Sequence, residues 1–310
     1  MSKARLRKGR AVTGVVLLNK PQGMSSNHAL QHVKRLYNAQ KAGHTGALDP
    51  LATGILPICL GEATKFSQYL LDADKAYRVE ALLGVRTTTS DAEGEVVEEK
   101  PVSVDAKHIA EVIQDFIGKQ AQSPSIYSAL KHEGRPLYYY ARRGIEVPKK
   151  TREITIHSIE LLAVEGNKVV LQVSCSKGTY IRTLVDDLGH ALGCGAHVSS
   201  LHRNAVADIN ESTMVTPEQL EKAAEQGQSK LDDLLQPADL LLGELPKITV
   251  TQTQTRDFLH GQPIPLPVSD ANEAEEWRVL NEQSQFLGVG RVKNMELWPR
   301  RVIALEYADL

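Results

Sequence analysis

The sequence predicts an α+β fold: a mixed, mainly antiparallel sheet with flanking helices, followed by a small β-rich module. Three observations predict it. Segments with two-residue apolar alternation recur, as in Tyr77, Val79, Ala81, Leu83 and Val85. Segments with apolar residues every three or four positions are interspersed among them. Short turn sequences such as Glu165-Gly166-Asn167-Lys168 join strands directly, which antiparallel pairing allows and parallel pairing does not. The 310 residues, 42% apolar and 24% charged, are enough for one large domain or two.

In chain order, residues 14–19 read as a buried strand. Lys20-Pro21-Gln22-Gly23 is a turn, and Ser25 or Ser26 caps a helix over 27–38 that places Leu30, Val33, Leu36 and Tyr37 on one face. A glycine-rich loop, 43–54, leads into a strand at 55–60 and a short helix at 62–73. A strand at 75–85 and a helix at 104–118 follow. Residues 119–151, with Pro124, Gly134, Pro136, Gly144 and Pro148 among basic and tyrosine residues, read as an excursion from the sheet. Two long strands, 152–164 and 169–176, form a hairpin. Then come a helix over 179–192, a strand over 196–209 and a helix over 216–227 opened by Thr216-Pro217-Glu218. Residues 236–246 read as a linker between a larger domain, 1–245, and a module, 246–310. In the module, strands at 247–251, 277–280, 286–292 and 301–305 surround a helix at 252–260.

The net charge of −2 hides an uneven distribution. Residues 1–20 hold six basic residues and no acid, and residues 119–152 hold eight basic residues against two acids. Two such stretches in a net-acidic chain point to a polyanion partner. The three cysteines, Cys59, Cys175 and Cys194, are far apart and form no CxxC pair, which fits a reducing, cytoplasmic setting. The apolar run after the basic start, residues 15–18, is too short for a signal peptide or a membrane span.

The stretch with the most chemistry is Gly43-His44-Thr45-Gly46-Ala47-Leu48-Asp49-Pro50-Leu51-Ala52-Thr53-Gly54. Pro50 keeps Asp49 out of the helical region, so its carboxylate sits on a turned or extended backbone. Alone, an Asp-Pro step is a turn. An ionised aspartate is also a competent nucleophile or base, provided that a partner keeps it charged in a closed pocket. Arg182, beside Tyr180, offers a fork that fits a carboxylate and cannot deprotonate. Tyr77 and Tyr180 suit stacking on a planar ligand, or simply a core or rim position. No HExxH or paired Cys/His spacing suggests a metal, and no GxxxxGK[ST], GxGxxG or GxSxG pattern is present. Lys131, Arg135, Arg142, Arg143, Lys149 and Lys150, interleaved with tyrosines, have the composition of an RNA-contact segment or of a solvated charged insertion.

Together these segments resemble one family over nearly the whole chain, the TruB-type tRNA pseudouridine synthases of bacteria. Lys20-Pro21-Gln22-Gly23-Met24-Ser25-Ser26 resembles the family's first motif, and the loop around Asp49 its catalytic motif. Lys75-Ala76-Tyr77, Lys177-Gly178-Thr179-Tyr180-Ile181-Arg182 and Leu201 resemble three more, in the family's order. The resemblance implies isomerisation of the T-loop uridine at position 55 of tRNA to pseudouridine. The base is flipped out, the N1–C1′ bond is cleaved, and C5 bonds to C1′. No redox change or group transfer occurs, so no cofactor is expected. It implies that Asp49 is the essential carboxylate, Tyr77 stacks on the base, Arg182 pairs with Asp49, and Tyr180 and Leu201 line the pocket. Lys20 would be supporting, and His44 would contact the RNA that the flipped nucleotide leaves. The excursion at 119–151 would grip RNA, and the last module would be PUA-like. The expected partner is the T-arm of tRNA, bound by a monomer. Two other readings remain at this point: an RNA-binding protein that assists tRNA folding without chemistry, and a hydrolase using Asp49 on a free nucleoside.

Overall fold

The computed structural model describes residues 9–123, 131–136, 139–140, 143–145, 147, 151–266 and 275–304. Arg142, Lys149 and Lys150, expected to touch RNA, lie outside the described residues, and of Lys131 only the backbone is described.

A nine-stranded sheet carries the larger part. Its main path runs Gly14–Lys20, Thr53–Leu60, Ala196–Val206, Lys75–Leu83, Lys168–Cys175, Arg152–Glu165, Gly118–Gln122. Ala42–His44 pairs with Thr53–Leu60, and Ile209–Asn210 folds back on Ala196–Val206. Pairing in this sheet is antiparallel except between Thr53–Leu60 and Ala196–Val206, where His202 lies opposite Thr53 and Arg203 opposite Gly54. The alternation read from the sequence places Tyr77, Val79, Ala81 and Leu83 on one buried face. The helix Ile181–Ala191 covers that core with Ile181, Leu184, Val185 and Leu188, and the helix Ser26–Leu36 contributes Ala29 and Val33 to it. Burying each of the Val, Leu and Ile side chains contributes roughly 1.5–3 kcal/mol before the entropy cost. Ser25 caps the second of these helices by accepting a bond from His28 N.

Gly54 is one position where the chain can tolerate no side chain. Its φ is +100°, and a Cβ there would lie 2.2 Å from the Arg203 carbonyl oxygen, in the parallel pair. Gly54→Ala combines left-handed strain with a backbone clash, so a loss of about 3 kcal/mol or more is expected, read as an earlier midpoint in urea unfolding.

The structure departs from the sequence reading in several places. The helix expected over 62–73 is broken at Phe66 into a 3-10 turn, Gly61–Lys65, and a short helix, Ser67–Asp72. The Phe66 ring packs edge-on against Phe286 of the last module, 5.0 Å between centroids, a long-range contact with no local signal. The helix expected over 104–118 is α-helical only at Ala106–Val112, passes through a 3-10 turn to Phe116, and gives way to a strand at Gly118. Residues 119–122 therefore belong to the sheet, paired with the strand Arg152–Glu165, and not to the excursion. The sequence is silent there because a polar edge strand needs main-chain partners rather than apolar alternation. The strand expected over 196–209 turns at Ala207, φ +52°, into a hairpin.

Residues 236–246 are a strap rather than a free linker. Gln236 and Val15 exchange main-chain hydrogen bonds of 2.8 Å, and Ala238, Leu241 and Leu242 are buried in a 3-10 turn. The second sheet has the order Lys247–Val250, Glu276–Asn281, Phe286–Lys293, Glu296–Val302, Ile264–Pro265, covered by the helix Gln252–Leu259. Its last long strand starts at Glu296, not at residue 301. Asn294 and Met295 form the preceding two-residue turn, both at positive φ. Val289 of this sheet and Ile303, just after its last long strand, share one apolar cluster with Val15, Leu17 and Ile55, so the two parts are packed together. No helix of the described residues is long and apolar enough to cross a membrane.

Candidate active site

The site is assembled around the loop that ends at Gly54. Its backbone is clamped by the preceding turn. Lys20 is fully buried and its Nζ donates to the carbonyls of Pro21 at 2.8 Å, Met24 at 2.7 Å and Pro50 at 3.3 Å. Gly23 N also donates to Pro50 O at 2.8 Å. Ser26 Oγ accepts from Leu48 N at 2.7 Å and donates to Leu48 O at 2.9 Å. The residues on both sides of Asp49 are thus fixed, which aims the carboxylate. Burial lowers the Lys20 amine to about 8, against the opposing pull of Asp49 and Glu93.

Asp49 faces Arg182 from the start of the helix Ile181–Ala191. Arg182 Nε lies 2.9 Å from Asp49 Oδ2, and Nη2 donates to Oδ1 at 3.2 Å. The other arm of the fork, Nη1, donates to Asp91 Oδ2 and to Thr89 O, both at 3.1 Å. Arg182 and Asp91 are buried, with side chains 5% and 3% exposed, while the Asp49 side chain is 40% exposed at the cavity. One guanidinium therefore serves two carboxylates, the inner one structural and the outer one open to a ligand. Desolvation raises the Asp49 carboxyl above its ordinary value, with Asp91 adding to the rise, while Arg182 and then Lys20 oppose it. Asp91 is held in place by Thr89 Oγ1 and by Glu93 N, both donating to its Oδ1.

Asp49 opens on a cavity of about 880 Å3 whose lining includes Tyr77, Tyr180, Arg182, Leu201 and Arg203. This is room enough for a nucleotide, within the usual range of ligand pockets. Tyr77 and Leu201 come from neighbouring strands of the main sheet; Tyr77 is 9% and Leu201 6% exposed. Burial pushes the Tyr77 phenol well above its usual range, and Arg203 opposes the rise as a charge and as a hydrogen-bond donor. Tyr180 sits at the helix start, where Gln122 brackets its backbone: Tyr180 N donates to Gln122 Oε1 at 2.8 Å and Gln122 Nε2 donates to Tyr180 O at 3.0 Å. The Arg152 guanidinium lies over the Tyr180 ring, 5.3 Å from its centroid.

Of the residues singled out in the sequence, Asp49, Tyr77, Tyr180, Leu201 and Arg182 meet in this cavity, and Lys20 lies behind it. His44 does not line it. It sits on the strand Ala42–His44, opposite Ile58, with Nδ1 buried and unbonded. Burial and then Arg203 lower its pKa below the usual histidine value, so the ring is neutral near pH 7. In the excursion, exposed Arg135 and Arg143 both lie on the Tyr139 ring, 4.4 and 3.7 Å from its centroid. The excursion springs from Gln122 and Arg152, which border Tyr180, so its base adjoins the cavity.

Four residues of the site escape the sequence reading: Ser26 in its clamping role, Asp91, Gln122 and Arg203. Asp91 opens an acidic run that reads as solvated surface, and nothing local shows that it turns inward. Arg203 did carry a signal: on a strand, Leu201 and Arg203 are two apart and share a face.

Comparison with known proteins follows the same lines. The model of the TruB family pseudouridylate synthase N-terminal domain matches residues 34–181. That of the tRNA pseudouridylate synthase B C-terminal domain matches residues 182–243, and that of the pseudouridine synthase II TruB C-terminal region matches residues 246–303. The chain is 82% identical over 310 residues to a protein of Idiomarina loihiensis named tRNA pseudouridine synthase B, covering 100% of both chains. It is 53% identical to the protein of the same name from Photobacterium profundum, covering 97% of this chain and 98% of that one. Among solved structures, a chain of a Cbf5-Nop10-Gar1 complex superposes with a TM-score of 0.73 at 25% identity, covering 95% of this chain and 86% of that one. The order of the motifs, the sheet that gathers them at one cavity and these matches agree: the chain belongs to the TruB family of pseudouridylate synthases, enzymes that isomerise uridine in RNA.

Proposed function

We propose that this chain isomerises the T-loop uridine at position 55 of tRNA to pseudouridine, with Asp49 as the essential carboxylate. The observation that carries the reading is the Asp49–Arg182–Asp91 arrangement at a nucleotide-sized cavity beside Tyr77. The names of the relatives supply tRNA as the substrate.

The target uridine is flipped into the cavity, because its N1–C1′ bond is out of reach inside a stacked stem-loop. Its ring lies against Tyr77, with Leu201 and Tyr180 on the walls. Breaking N1–C1′ leaves the electron pair on the uracil and electron deficiency at C1′, where the Asp49 carboxylate stabilises it or bonds to it. The uracil turns, C5 bonds to C1′, the C5 proton leaves and N1 gains one. Product and substrate are isomers, so the balance needs no external reactant. Arg182 keeps Asp49 ionised and oriented, Asp91 holds the far side of Arg182, and Lys20 fixes the turn. His44, neutral and outside the cavity, belongs to RNA handling rather than bond cleavage. Arg135 and Arg143, stacked on Tyr139, extend the RNA-contact surface from the cavity rim.

Incubation with an unmodified tRNA transcript, followed by mapping of pseudouridine, tests the proposal. Pseudouridine at position 55, and none in a transcript carrying cytidine there, is the expected result; no product, or product elsewhere, overturns it. The pH dependence follows from Asp49. Its carboxyl is raised, so it takes up a proton at a higher pH than the ordinary 3.8 of an aspartate. The single-turnover rate should therefore begin to fall above that value as pH decreases, in step with the protonated fraction of one group.

A further inference from the structure

Among the described residues Arg203 is the largest fully buried side chain, 1% exposed, and no carboxylate forms an ion pair with it. Its charge is held by main-chain carbonyls: Nε donates to Ile55 O at 2.8 Å and Nη2 to Gly46 O at 3.1 Å. A buried guanidinium without a counter-ion is costly, and a stretch that needed only packing would carry an apolar residue. The surroundings are also basic. Lys20 and Lys75 feel Arg203 as a like charge, and after burial Arg203 is what keeps the His44 ring neutral. Two further facts say what the charge faces. Arg203 lies opposite Tyr77 in the register of the neighbouring strand, and both line the cavity. Gly46, whose carbonyl Arg203 holds, begins the turn that carries Asp49.

We propose that Arg203 is a positioning residue for the isomerisation: its guanidinium, locked between Gly46 and Ile55, holds the Tyr77 phenol on the base side of the cavity and keeps a fixed positive charge behind it. The inference rests on the reading of the cavity given above. It divides the cavity electrostatically. Asp49 supplies negative charge on the sugar side, where C1′ becomes electron-deficient, and Arg203 supplies positive charge behind Tyr77, on the side of the uracil that keeps the electron pair. The charge is set before the substrate arrives, so it costs no reorganisation during the reaction. Tyr77 is also faced by Cys175 and Asp49, neither of them a cation, and Lys75, which lines the same cavity, turns its Nζ to the carbonyls of Leu70, Leu71 and Ala73.

The test compares Arg203→Met, Arg203→Lys, Tyr77→Phe and the Arg203→Met/Tyr77→Phe double variant by single-turnover rate, tRNA affinity and melting curve. Arg203→Met is expected to slow the rate about 100-fold with tRNA affinity within about threefold, and Arg203→Lys, which keeps the charge, to recover about 10-fold of that loss. The double variant should be no slower than Tyr77→Phe alone, because the effect of Arg203 passes through Tyr77. A folded Arg203→Met enzyme working at the native rate overturns the proposal. So does a loss that reappears in full on top of Tyr77→Phe, or a loss confined to tRNA affinity. Should Arg203→Met fail to fold, Arg203→Lys takes its place in the same cycle with an expected loss of about 10-fold, and a native rate for it is equally fatal. Failure of the native protein to make pseudouridine at all would sink the functional reading instead, so the two failures are separable.

Discussion

Asp49→Asn should abolish pseudouridine formation while leaving tRNA affinity within about threefold. Asparagine keeps the shape and an oxygen for Arg182 Nη2, so the loop clamped by Lys20 and Ser26 stays in place. What disappears is the negative charge and the oxygen able to bond to C1′. A loss of about 10,000-fold or more in the single-turnover rate is expected, which corresponds to about 5 kcal/mol of transition-state stabilisation. On the proposed reading binding survives, because the substitution leaves the cavity walls and the basic side chains untouched. A protein whose work is only to open and refold tRNA would be indifferent to this change. Rate measurement and filter binding on one preparation therefore separate chemistry from handling; an Asn variant at the native rate would exclude Asp49 from the reaction.

Arg182→Met should remove both activity and stability. The guanidinium is 5% exposed and stands between Asp49 and Asp91, so its loss leaves two carboxylates facing each other across an apolar side chain. Removing one partner of a buried ion pair costs about 3–5 kcal/mol, because the remaining charge stays desolvated. The sign with pH follows. Without Arg182 the carboxyls hold protons in the folded state at a pH where the unfolded chain has released them. The folded state then binds more protons, and stability falls as pH rises through this window. The variant should be closest to native stability in acid and furthest from it near pH 8, as read by urea unfolding at several pH values. Adding Asp91→Asn should restore part of the stability and none of the activity. Equal stability of variant and native protein near pH 8 would show that the buried arrangement is not what holds Arg182.

Which features the sequence disclosed follows from how local they are. Asp49 stood out because the residues that shape its turn, Gly46 and Pro50, are next to it. Tyr77 and the helix bearing Arg182 could be placed because alternation and helical periodicity are local patterns. Asp91 could not: its inward turn depends on Arg182, 91 residues away, and on threonines that read equally well as surface. The strand 118–122 was hidden because its partners are main-chain groups, and the strap at 238–242 because its burial depends on Val15 and Leu17. Phe66 breaks a helix for the sake of Phe286, a contact no window of sequence contains. Buried polar residues, above all Arg203, are the hardest, since side-chain type alone assigns them to solvent.

The parallel pair between Thr53–Leu60 and Ala196–Val206 has a consequence for the order in which the protein is made. The far end of the Asp49 loop rests on Arg203, and Asp49 itself on Arg182, 133 residues later in the chain. At synthesis rates of about 5–20 residues per second, the loop emerges from the ribosome many seconds before its partners exist. During that time neither Gly54 nor Asp49 has its native support, and Arg203 is not yet there to close on Gly46. A nascent chain stopped before Ala196 would carry the Asp49 loop without the strand that closes on it, so the cavity is complete only after about two thirds of the chain has been translated.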